Sequence, residues 1–164
     1  MTERPAASVA ELEALYRERF GAFARVAGAI AGDEQSGIDA VQDAFANAIL
    51  GVGDYRGEAP LEAWVWRIVL NAARGVRRRE RPQPQDAFAA APDNGRPGED
   101  HEVRAWIAAL PERQRLAVFL RYYADLDYRS IAAALDVEVG TVSATLASAH
   151  RSIRRALEEV QVDA

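Results

Sequence analysis

The residues best suited to chemistry are concentrated in positions 54–81, DYRGEAPLEAWVWRIVLNAARGVRRRER. These 28 residues hold two tryptophans, one tyrosine and a dense arginine tract. Aromatic rings can stack on unpaired bases while neighbouring guanidinium groups hold the phosphates. Arg67, Asn71, Arg74 and Arg78 recur at spacings of four, three and four, which puts them on one side of a helix. A basic stripe of that kind can follow a nucleic-acid backbone, and an asparagine can grip a base edge with two hydrogen bonds. Trp64 falls on the apolar stripe of the same helix and is expected to be buried. Trp66 lies off that stripe and is the tryptophan open to a binding role. The plainer reading of Arg77, Arg78 and Arg79 is a solvated helix end that complements the helix dipole.

A second candidate spans residues 127–157. A short helix, the turn Asp136-Val137-Glu138 and a longer helix have helix-turn-helix proportions, in which the second helix enters the major groove of DNA. Its N-terminal side chains are Thr141, Ser143, Ala144, Thr145 and Ala147, with Ser148 nearby and Arg151, Arg154 and Arg155 one to two turns on. Asp136 stands where the backbone turns left-handed, a conformation that aspartate tolerates better than most residues. A helical hairpin that only builds a core is the competing reading.

No catalytic constellation accompanies these features. The chain has no GxxxxGK[ST] and no GxGxxG for nucleotide phosphates. It has no cysteine and two distant histidines, His101 and His150, which argues against a metal centre and a thiol nucleophile. Glu158 and Glu159 read as solvated charge. No catalytic residue, metal or cofactor is expected.

The elements that would position these residues are all helical. Leu12, Leu15, Tyr16, Phe20 and Phe23 recur at three and four. Ile38, Val41, Gln42, Phe45 and Ile49 repeat that pattern, with Ser36 and Asp39 as capping candidates. Pro60 opens a third helix to about Arg79, with Leu61, Trp64, Val65, Ile68 and Ala72 as its apolar stripe. Val103, Trp106, Ile107 and Leu110 predict a helix stopped by Pro111. Leu116, Val118, Phe119, Leu120 and Tyr123 predict another. Asp127 is placed to cap the short helix, with Tyr128, Ile131, Ala132 and Leu135 inward. Val142, Leu146, Ala149, Ile153 and Leu157 face inward on the last. The segment 82–100, PQPQDAFAAAPDNGRPGED, holds four of the seven prolines and reads as a linker. The expected fold is all-α, with two small helical domains at 10–81 and 101–160 joined by the Pro-rich segment 82–100.

Composition bounds the function. The 164 residues are 49% apolar and 27% charged, as in ordinary globular proteins. Twenty basic residues against 25 acidic ones give −5, which argues against a generic nucleic-acid binder. All 20 are arginine, which a GC-rich genome explains without any appeal to function. The apolar runs are too short to span a membrane and the start lacks a signal peptide, so a cytoplasmic protein is expected.

The segments DAVQDAF, YRGEAPLEAWVWRIVLNAAR and LPERQRLAVFLRYYADLDYRSIAAALDVEVGTVSATL, with the Pro-rich break between them, resemble the extracytoplasmic-function (ECF) group of bacterial sigma-70-family transcription initiation factors. The resemblance covers about residues 10–80 and 101–158, in the family's order. It implies a sigma factor that directs core RNA polymerase to promoters. Asp39, Gln42, Asp43 and Phe45 match the segment that docks on the polymerase clamp helices. Tyr55, Arg56, Gly57 and Glu58 match the loop that captures a flipped base of the −10 element. Trp66, Arg67, Asn71 and Arg74, extended by Arg78, match the helix that holds the melted strand. The helix-turn-helix, with Arg129, Thr141, Ser143, Thr145, Ser148 and Arg151, matches the module that reads the −35 element, and the helices before it match the surface that meets the flap. An anti-sigma factor is a further implied partner. Three departures stand out, the first being Arg129, which stands where the family commonly has an acid. The reading helix has its first arginine only at 151, and Asn47-Ala48-Ile49 occupies a place where a basic residue and a tryptophan are common. A plain helix-turn-helix regulator and a degenerate sigma-like interaction protein are the alternatives.

Overall fold

A computed structural model describes residues 6–80 and 101–163, apart from the His101 side chain. The expected linker, 82–100, lies outside the described residues. Among these residues the fold is all-α, with no strand.

The first block has three helices. Helix α1 (Val9–Ala31) begins with a capping box: Ser8 and Glu11 each satisfy the other's backbone N–H. It ends on Gly32, at φ 113°, where a side chain would be strained. Helix α2 (Glu34–Gly51) is capped by Asp33, whose carboxylate accepts from the Ser36 amide. The expected caps Ser36 and Asp39 therefore lie inside the helix. The buried face of α2 is Gly37, Ala40, Val41, Ala44, Phe45 and Ala48, while Ile49 is exposed. Small residues there let α1 and α2 approach closely. A Cβ at Gly37 would sit 2.4 Å from the Cα of Gly28. After a 3-10 turn (Val52–Asp54), α3 (Leu61–Glu80) runs back across both helices.

The second block follows the same logic. Helix α4 (His101–Ala108) leads through Pro111 into α5 (Glu112–Val118), which continues as a π-helical turn, Phe119–Tyr123. Arg115 is buried at this junction, and its Nη1 donates to the carbonyls of Ala108 and Leu110 at 3.1 and 3.0 Å. Burial pulls its guanidinium down to about 10, so it still carries its charge at neutral pH. Helix α6 (Tyr128–Leu135) is capped by Asp127, as expected, through the Ser130 amide. Tyr128 faces solvent rather than the core. Helix α7 (Val139–Val162) buries Val142, Leu146 and Ala149. It then outruns its neighbours, so Ile153 is half-buried and Leu157 is exposed.

The two blocks share one hydrophobic core that runs from Leu12 through Trp66 and Leu70 to Leu116 and Ala149. The contact is made chiefly by α3 on α6. Arg19 of α1 reinforces it: its Nη2 donates to the Ala124 carbonyl of the second block, while its Nε, 2.7 Å from Glu62 Oε1 of α3, is held within the first.

Candidate nucleic-acid interface

Helix α3 sorts its side chains into a core face and an open face. Ala63, Val65, Trp66, Val69, Leu70, Ala73 and Val76 are buried. Arg67, Asn71 and Arg78 are exposed and Arg74 is half-buried. The basic stripe expected from spacing is therefore present along the open face. Arg67 Nη2 lies 3.3 Å from Asp136 Oδ2, and Arg74 Nε lies 2.9 Å from Glu112 Oε1.

The two tryptophans exchange the roles that spacing gave them. Trp66 is fully buried against Phe23, with ring centroids 4.3 Å apart. Its Nε1 donates to Glu62 Oε1 at 3.4 Å. Trp66 cannot stack on a base without unfolding the core, so it leaves the candidate set. Trp64, expected in the core, is half-buried and lies 5.3 Å from the Tyr55 ring. Tyr55 and Trp64 line a cavity of about 320 Å³ together with Arg56, Glu58 and Arg67. The Tyr55 hydroxyl donates to the Ala59 carbonyl, which fixes the loop across the mouth of α3. Burial, with help from the Glu11 carboxylate, raises the Tyr55 pKa, so the phenol stays neutral. A half-open aromatic pair beside guanidinium groups suits a planar base with its phosphate. Glycine at 57 is required by the turn, where φ is 76°.

On the α1–α2 face, Phe45 is buried and meets Tyr16 and Phe23 edge-on at 5.0 and 5.3 Å. It forms the floor of an apolar groove of about 420 Å³ with Val9, Leu12, Tyr16 and Ile49. Gln42 lines the same groove, and Asp39 and Asp43 are exposed on α2. Leu50, 85% exposed, stands at the end of that helix. Ile49 and Leu50 were missed as surface candidates. Their signal was an apolar pair following the small-residue face of α2.

The second block has the geometry of a helix-turn-helix. Helices α6 and α7 meet at 99° across a three-residue turn, within the range typical of that motif. Asp136 adopts φ 55° and ψ 50°, the left-handed turn expected of it. Arg129, Ser143 and Arg151 are exposed. Thr141, Thr145 and Ser148 are half-buried, and the Ser148 hydroxyl accepts from Arg151 Nη2 at 2.9 Å. The exposed side chains of α7's first turns are Val139, Ser143, Ala144 and Ala147. His150 is hydrogen-bonded through Nε2 to the Tyr122 hydroxyl at 2.7 Å. Among the described residues no cluster of acidic or histidine side chains could hold a metal ion, and no single helix is long and apolar enough to cross a membrane.

Comparison with known proteins covers both blocks. Residues 15–82 match the family model described as Sigma-70 region 2, and residues 100–153 match Sigma-70, region 4. The RNA polymerase sigma-H factor of Pseudomonas aeruginosa is 30% identical over 145 residues, covering 77% of this chain and 75% of that protein. The ECF RNA polymerase sigma-E factor of Escherichia coli K12 is 31% identical over 134 residues, covering 70% of each. Two solved structures share the fold, each with a TM-score of 0.70. One is CnrH in complex with the cytosolic domain of CnrY, at 22% identity over 94% of this chain and 92% of that one. The other is the sigma factor RpoE of Bartonella quintana in complex with the anti-sigma factor NepR, at 19% identity over 90% and 97%.

Proposed function

The chain belongs to the ECF group of the sigma-70 family and is a promoter-recognition sigma factor, and from that premise we propose how its residues divide the work. It acts as a dissociable, non-catalytic subunit of bacterial core RNA polymerase in the cytoplasm. Residues 10–81 form the domain that opens and holds the −10 element, 82–100 the linker, and 101–160 the domain that meets the −35 element.

The observation that carries this division is the Tyr55–Trp64 cleft at the head of the Arg67, Asn71, Arg74, Arg78 stripe. A base turned out of the duplex enters the cleft and stacks on the aromatic pair. Unstacking costs roughly a few kcal/mol, which a fitted pocket recovers only for the right base. Beyond the cleft, Arg67, Arg74 and Arg78 follow the phosphates of the melted strand, and Asn71 reads a base edge. Trp64 takes the stacking role that the family resemblance gave to Trp66. Arg56 closes the cleft.

The apolar groove floored by Phe45 and flanked by Asp39, Gln42 and Asp43 supports docking on the polymerase clamp helices. The exposed edge of α7, with Arg129 and Arg151 at its margins, supports reading of the −35 element. Polymerase, promoter DNA and an anti-sigma factor are the partners.

The test is transcription in vitro from sheared genomic DNA of the source organism, with core polymerase alone and with this protein added. Sequencing the new RNA 5′ ends is expected to give discrete starts that share an upstream element. Core binding without any new start would overturn the reading in favour of a sigma-like interaction protein.

A further inference from the structure

We propose that the lead-in and first turn of α1, Ala6 to Glu11, hold the loop from Tyr55 to Ala59 in its base-receiving shape, with Ala7 as the central positioning residue. The inference rests on the base-capturing role just given to the Tyr55–Trp64 cleft. It makes a stretch distant from the cleft in sequence a determinant of −10 recognition.

Two observations of packing carry it. Ala7 is 2% exposed, although Ala6, Ser8 and Val9 around it are all exposed. It does not belong to the hydrophobic core that the two blocks share. Its neighbour Ala6 meets the loop directly: a Cβ placed on Gly57 would stand 3.4 Å from the Ala6 Cβ. Gly57 is where the loop turns, at φ 76°, a conformation that glycine adopts without strain. The lead-in therefore lies against the loop at its turning point, where the missing side chain lets the two backbones come together.

The bonds of Tyr55 do not anchor the loop from outside. Its amide donates to the Val52 carbonyl and its hydroxyl to the Ala59 carbonyl, and both bonds are local. Trp64 braces the Tyr55 ring from α3. The lead-in supplies a second brace, and the capping box stiffens it. Glu11 Oε2 accepts from the Ser8 amide at 2.7 Å and from the Ser8 hydroxyl at 3.0 Å, while that hydroxyl accepts from the Glu11 amide at 3.3 Å. These bonds fix the direction in which the chain enters α1. The same Glu11 carboxylate is near enough for its charge to help raise the Tyr55 pKa, in keeping with a loop that lies beside the first turn. A pocket that selects a base needs such support from groups that do not touch the base.

The experiment is run-off transcription by holoenzyme carrying the full chain, from a mixture of promoters that differ by single bases across the −10 element. Ratios between promoters in one reaction do not depend on how much holoenzyme forms. Ala7→Leu adds bulk at a buried position and is expected to displace the loop. Preference at the captured base should flatten roughly 5- to 10-fold, with the ratios at the other −10 positions held. Ala7→Ser, close to alanine in size, should keep the wild-type profile. Ser8→Ala with Glu11→Ala frees the lead-in without adding bulk and should flatten the same position about 2- to 5-fold. Unchanged preferences in Ala7→Leu, or in the capping variant should circular dichroism show Ala7→Leu unfolded, would overturn the proposal. So would an equal loss at every −10 position, the mark of a domain that is merely destabilised. Trp64→Ala tests the premise separately. If it flattens the captured position while the lead-in variants do not, the cleft stands and the positioning role falls. If it leaves every −10 ratio at the wild-type value, the base-capturing reading itself falls.

Discussion

The Trp66 ring lies 4.3 Å from that of Phe23, sealed in the core where α1, α2 and α3 meet. Its neighbour two residues back, Trp64, faces the Tyr55 cleft. The two positions should respond differently to the same substitution. Trp66→Ala is expected to cost about 3–5 kcal/mol, the usual loss for an emptied aromatic site. Urea denaturation at neutral pH measures it, and Trp66→Phe should recover part. Trp64→Ala should cost much less stability yet reduce promoter opening, read as permanganate-reactive thymines in the −10 region. Equal stability losses at both positions would contradict the assignment.

Two glycines give a contrast of opposite sign. At Gly37 an added Cβ would press within 2.4 Å of the backbone of Gly28, which cannot swing aside as a side chain could. Gly37→Ala should therefore destabilise by about 1–3 kcal/mol or more. At Gly75, within α3, an added Cβ meets nothing within 4 Å. Gly75→Ala should stabilise by roughly 0.5–1 kcal/mol, because alanine is the better helix former. Thermal unfolding of the two variants beside wild type decides both.

The helices and their order were legible because each carries a three–four repeat of large apolar residues, as Leu12 to Phe23 and Val142 to Ala149 do. The side of α3 that faces inward was not. That helix packs on α1 and α2 along one line and on α6 along another, so its buried set is broad enough to take in both Trp66 and Val65. A single stripe counted from Leu61 misses this. Leu157 misled in the opposite way: its spacing is perfect, but α7 has left its partners behind at that point. The cap Asp33 was obscured by Ser36 and Asp39, equally good cap residues by type. The basic stripe of α3 was legible as a pattern, whereas its ion pairs with Asp136 and Glu112 depend on contacts 69 and 38 residues away in sequence.

Asp127 caps α6 through the amide and hydroxyl of Ser130, and these hydrogen bonds hold its carboxyl below the ordinary aspartate range. A pKa lowered in the folded state means stability that is present above the unfolded value of about 3.9 and lost as pH falls through the folded one. Asp127→Ala should therefore cost about 1 kcal/mol at pH 7, and the gap to wild type should narrow below about pH 4. Denaturant titrations at the two pH values check the sign. A gap that widened in acid would mean the carboxylate is not the cap.

The arginines and the asparagine of α3 should fail in distinguishable ways. Arg78 is exposed at the end of the stripe. Its loss should weaken strand binding alike for all sequences and flatten the salt dependence by about 0.7 in log–log slope, the value for one single-strand phosphate contact. Asn71→Ala should leave that slope unchanged and relax base preference at one position of the −10 element, by roughly 1–3 kcal/mol of discrimination. Open-complex formation measured across salt on a set of single-base promoter variants separates the two. Both variants should bind core polymerase as wild type does.

The outer edge of α7 offers little hydrogen bonding. Ser143 is the sole hydroxyl there, and Ala144 and Ala147 present methyl groups, which can make apolar contact with the methyl of thymine. Thr141, Thr145 and Ser148 are turned partly toward the core. Reading of the −35 element should therefore rest on shape, on methyl contacts and on phosphates held by Arg129 and Arg151. Thr145→Ala should change the preferred −35 sequence less than about twofold, since exchanges outside the direct contacts have small effects. Ala147→Arg should create a preference for guanine at the facing position, worth about 1–3 kcal/mol when both guanine acceptors are engaged. Sequencing starts from a library randomised across the −35 region measures both. If the Ala147→Arg profile matched that of the parent, Ala147 would not face the groove, and the reading edge would have to lie around Thr141, Thr145 and Ser148 instead.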